Sequence, residues 1–100
     1  MSKKVNDILR GGAEKRWPGS GDHFVAIHEF MRQGGRENAL GSAMNINFAL
    51  LMNRAQALES IRRSINARTP KRTGKRMDLY VAACSAMDAL ETMARAEESP

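Results

Sequence analysis

The sequence predicts an all-α protein. A long antiparallel helical hairpin, about 42–67 and 75–96, carries a shorter helix, about 23–33, after a weakly ordered N-terminal segment. Three observations support this. Ala, Leu, Met, Arg and Glu are plentiful while aromatics make up 5 % of the chain, a balance that favours helix over strand. Met44, Leu51, Leu58 and Ile65 recur every seven residues, a helical period. Glycine and proline fall between the periodic stretches and punctuate them.

Each element follows from local chemistry. In residues 1–21, Val5, Ile8 and Leu9 support one or two helical turns, which Gly11-Gly12 should stop before the loop "RWPGSGD". Asp22 is the expected N-cap of the first clear helix, on which Phe24, Ile27 and Met31 share a face and Gly34-Gly35 supplies the stop. The second helix is expected over about 42–67, with Ser42 a candidate N-cap and Pro70 beyond its end. In the third, Tyr80, Ala83, Cys84, Met87, Leu90 and Ala94 lie on one side. One domain, 22–97, follows after the segment 1–21.

A turn centred near Lys71 would set Arg54 level with Asp88, with Glu91 one turn further. Arg54 falls inside the apolar arc of its helix, so a structural ion pair with Asp88 or Glu91 is expected. That arc is wider than one neighbouring helix should need, and a homodimer is the expected way to cover it.

The chain carries 16 Lys/Arg against 11 Asp/Glu, a net charge of +5. The charge is polarised. Residues 54–76 hold eight Lys/Arg and one acid, whereas residues 77–100 hold one Arg and five acids. The densest basic stretch, "ARTPKRTGKRMD", is the helical connection. Arg62, Arg63 and Arg68 approach the C-terminal end of the second helix, where cations are favoured. Lys75 and Arg76 open the third helix, where they are disfavoured. Lys71, Arg72 and Thr73 lie between. A helix N-terminus also offers backbone N–H groups to an anion. Residues 62–76 are therefore the candidate contact for an anionic partner: nucleic acid, a nucleotide phosphate, or an acidic protein surface. No aromatics interleave with these cations, so phosphate contact is expected rather than base stacking.

Other classes find little support. "TGKR" stops short of a P-loop, because the first glycine is missing and Arg76 stands where a Mg²⁺-binding Ser or Thr belongs. His23 and His28 are five apart, not the i, i+4 spacing of a helical metal pair. Cys84 is the only cysteine, which rules out an intramolecular disulfide and fits a reducing, cytoplasmic setting. It has no sequence-adjacent base to activate it. No apolar run approaches the roughly 20 residues needed to span a bilayer, and the opening "MSKKVNDILRGG", with only a short apolar patch, is not expected to be a signal peptide. No enzyme, metal or cofactor is expected. Two functions remain: a non-catalytic binder of nucleic acid or nucleotide, or a small protein-interaction module, such as an antidefence inhibitor of a mobile element, docking on a larger complex.

Overall fold

A computed structural model describes residues 2–98. The protein is all-α, with no strand among the described residues. Its helices are α1 (Ser2–Arg16), α2 (Gly21–Met31), α3 (Arg36–Leu51), α4 (Arg54–Asn66) and α5 (Lys75–Glu98), with a 3₁₀ turn at Arg32–Gly34. One core runs through all five. It is built on Phe24, Ile27 and Phe30 of α2, Ile46 of α3, Ile61 and Ile65 of α4, and Met87 and Leu90 of α5.

Residues 2–16 form a helix where the sequence leaves a weakly organised segment. Gly11 and Gly12 are both inside it. Interior glycine costs about 1 kcal/mol relative to alanine, and tertiary contacts offset that here. Ala13 is fully buried. Arg10 reaches Asp22 at 2.7 Å, and Asn6 donates to Glu29. Trp17 is buried against Phe24, their ring centroids 6.0 Å apart.

The cap of α2 also differs from expectation. Asp22 lies in the first turn and pairs with Arg10. The carboxylate that accepts from the backbone is Glu14, at 2.9 Å from Gly19 N and 2.7 Å from Gly21 N. Those N–H bonds hold the Glu14 carboxyl below its usual pKa. Gly21 is required by close approach, since a Cβ there would lie 2.9 Å from the Arg10 carbonyl oxygen. At the other end, Gly35 has φ of +100°, a backbone region that suits glycine.

The expected single helix over 42–67 is two helices. Met52 leaves helical geometry and Asn53 is extended, with φ −150° and ψ 101°. The Asn53 side chain then accepts from Gln56 N at 3.0 Å and caps α4, a role asparagine fills well. The break splits the seven-residue repeat. Leu58 and Ile65 are buried, whereas Met44 and Leu51 are 72 % and 55 % exposed. The buried side of α3 is instead Ser42, Ile46 and Ala49.

The expected ion pair is displaced by more than a helical turn. Arg54 pairs with Glu97 at 2.6 Å, donates to the Arg16 carbonyl at 3.0 Å, and lies 4.3 Å from the Trp17 ring centroid. Asp88 and Glu91 belong to Arg62, at 2.6 and 2.5 Å. The connection explains the shift. The Arg62–Asp88 and Arg54–Glu97 pairs both centre the hairpin near Lys75 rather than Lys71, and the first turns of α5 lie beside the connection and α2. Thr69 Oγ1 is 3.4 Å from the Tyr80 hydroxyl, and Tyr80 meets Phe30 edge-on at 5.6 Å.

Candidate functional site: a basic hollow at the α4–α5 connection

The connection and the first turn of α5 enclose an open hollow of about 630 Å³ lined by residues 68–76. Its shape is fixed from one side. Arg68 donates to the Ser64 carbonyl and to Asn38 Oδ1, both at 2.9 Å, tying the loop to α4 and α3. Thr69 Oγ1 donates to the Asn66 carbonyl at 2.8 Å. At the far end, Gly74 has φ of +133°, which only glycine adopts without strain. Its carbonyl accepts from Asp78 N at 3.0 Å and so begins α5. By helix geometry the N–H groups of Lys75, Arg76 and Met77 have no acceptor within α5.

The cations of this region divide into two groups. Arg62 is held by Asp88 and Glu91, and these hydrogen bonds raise its pKa further above the usual arginine value. It braces α4 against α5 and does not line the hollow. Arg63 is exposed on α4 and also stands outside it. Arg68 lines the hollow but its guanidinium serves the loop. Arg76 lies over Phe30, 5.6 Å from the ring centroid. Lys71, Arg72 and Lys75 are exposed, line the hollow, and form no ion pair among the described residues. Thr73 lines the hollow with them.

Of the eight residues singled out from the sequence, six meet at the hollow and Arg62 and Arg63 do not. Sequence reasoning passed over Asn38, which anchors Arg68 from thirty residues away, and Phe30, which supports Arg76. Neither carries a local signal, because both act through tertiary contact.

The remaining candidates are dispersed. His28 is buried, its Nδ1 3.1 Å from Ser42 Oγ, and burial lowers its pKa. His23 is half-buried on α2. Cys84 is half-buried against the core. No group of three or more His, Cys, Asp or Glu that could hold a metal ion occurs among the described residues. No helix among them is long and apolar enough to cross a membrane.

No protein-family model, curated protein or solved structure matches this chain.

Proposed function

We propose that the protein is a non-catalytic binder of a phosphate-bearing partner, nucleic acid or a nucleotide, which it takes in the hollow at residues 68–76. The observation that carries this reading is the placement of Lys71, Arg72 and Lys75. They are unpaired cations grouped in the connection and the first residue of α5, and Lys75 stands at the helix end where positive charge is disfavoured by about 0.3–1 kcal/mol. A bound anion reverses that penalty, meeting both the side chains and the free N–H groups of α5. The volume also suits a nucleotide, since small-molecule sites run to roughly 300–1,000 Å³. The aromatic nearest the connection, Tyr80, is engaged with Phe30 and Thr69. Contact is therefore to phosphate, with little base preference.

The test is a triple charge reversal, Lys71→Glu, Arg72→Glu and Lys75→Glu, read by polarisation of a labelled single-stranded oligonucleotide at low salt. Binding should weaken by at least about tenfold, equivalent to roughly 1.4 kcal/mol, with the helical signal intact because all three side chains are exposed. Equal binding by the reversed variant would remove the hollow from consideration.

A further inference from the structure

The face of α3 turned away from the core lacks a partner within the monomer. Residues 38–53 contain no Asp, Glu, Lys or Arg, in a chain where such residues make up 27 %. Leu40, Met44, Phe48 and Leu51 fall on one side of α3 by helical spacing and are 38–72 % exposed, with Met52 beside them at 75 %. Across an open groove of about 370 Å³, lined by Ala43, Asn47 and Leu50, stand Val5 and Ile8 of α1 at 52 % and 67 %. Scattered exposed apolar residues are ordinary, but a contiguous apolar face marks an interaction surface.

We propose that this face is a self-association surface on which a second copy of the chain lies antiparallel, α3 against α3. Two considerations select a second copy. The first is area. The seven side chains are exposed to an extent equal to about four whole ones, which at roughly 60–120 Å² per fully exposed side chain is about 250–500 Å² of apolar surface. A stable interface of about 800 Å² per partner, a little over half of it apolar, needs about 450 Å².

The second is charge. At the N-terminal end of α3, Arg36 is exposed. At the other end Glu98 lines a concavity with Met52, Asn53 and Arg54, and Arg54 is already neutralised by Glu97. Each copy thus offers an exposed arginine, Arg36, beside Glu37 at one end of α3, and an exposed glutamate, Glu98, near Arg16 at the other. A two-fold axis crossing α3 near Asn45 and Ile46 sets Leu40 against Leu51 of the second copy and Met44 against its Phe48. The same axis brings Arg36 to Glu98 of the second copy. A two-fold interface must be self-complementary, and this face satisfies that condition in its apolar register, with the Arg36–Glu98 pair repeated on each side of the axis.

The experiment is sedimentation velocity on the full chain from about 1 to 100 µM, a range that reads micromolar dissociation constants. The wild-type chain should sediment as a dimer. Met44→Glu with Leu51→Glu should weaken dimerisation by at least about a hundredfold, with helicity preserved in circular dichroism because both positions are exposed. Arg36→Glu should weaken it several-fold, and adding Glu98→Arg to that variant should restore it. A wild-type monomer throughout the range would overturn the proposal and leave the face to a different protein. So would dimers of Met44→Glu/Leu51→Glu as tight as wild type. A charge swap that fails to restore association would overturn the antiparallel arrangement. The triple reversal at Lys71, Arg72 and Lys75 tests the hollow separately, because those residues lie off this face.

Discussion

Replacing Arg62 with methionine separates a brace from a binding residue. The substitution keeps an apolar stem of similar reach and removes the guanidinium that joins Asp88 and Glu91 to α4. Hydrogen bonds to charged groups contribute about 1.5–3 kcal/mol when shielded. Here the shielding is uneven. The Arg62 and Glu91 side chains are 28 % and 30 % exposed, but Asp88 is 72 % exposed, so its share falls to the few tenths typical of surface pairs. The Glu91 bonds dominate, and the loss should be about 1–2 kcal/mol. For a domain of this size each kcal/mol lowers Tm by roughly 4–8 °C, so the melt should move by about 5–15 °C. The assay is urea and thermal unfolding of wild type, Arg62→Met, Glu91→Gln and the double variant. The cycle should return a coupling of about 1 kcal/mol. Oligonucleotide affinity, measured where the variant remains folded, should be unchanged. Normal stability with lost binding would refute the structural assignment and return Arg62 to the anion site.

Two further outcomes follow from the packing. Gly21→Ala should destabilise by about 1–3 kcal/mol, as overpacking does. Its Cβ would press on the Arg10 backbone oxygen, and thermal melts beside an Ala substitution at the unobstructed Gly12 would show whether that contact matters. Lowering pH should destabilise the fold through His28. Its folded pKa lies below the ordinary value of 6.5, so near neutral pH the buried neutral ring costs nothing. As pH falls below 6.5 the unfolded state takes up the proton first, and stability drops until the folded pKa is passed. His28→Gln should flatten the stability profile between about pH 7 and 5; an unchanged slope would show that another group carries it.

Much of the architecture is legible in the sequence where the signals are local. Gly35 stops the segment that contains α2, and the apolar side of α5 contains the buried Ala83, Met87 and Leu90. The break between α3 and α4 was hidden because no glycine or proline marks it. Asn53 sits inside an apolar-periodic run and acts as a cap only once Met52 has left the helix. Helix α1 was hidden for the opposite reason, since Gly11-Gly12 carries a breaker signal that the contacts of Arg10, Ala13 and Trp17 override. The register of α4 on α5 depends on where the chain reverses, and the ion pairs centre that reversal near Lys75, four residues beyond the point that Pro70 and the basic loop suggest. That one quantity decides whether Arg54 or Arg62 meets Asp88 and Glu91. It also decides which cations remain for a ligand, so charge density alone located the hollow without identifying its unpaired members.

In the proposed function, three unpaired cations meet phosphate at the hollow. The most direct measurement of that contact is the salt dependence of binding to a short single-stranded oligonucleotide. Each neutralised phosphate adds about 0.7 to the slope of log K against log salt. Contact through Lys71, Arg72 and Lys75 predicts a slope of about −2, falling toward zero in the charge-reversed variant. No binding at low salt, or a slope that the reversal leaves unchanged, would contradict it.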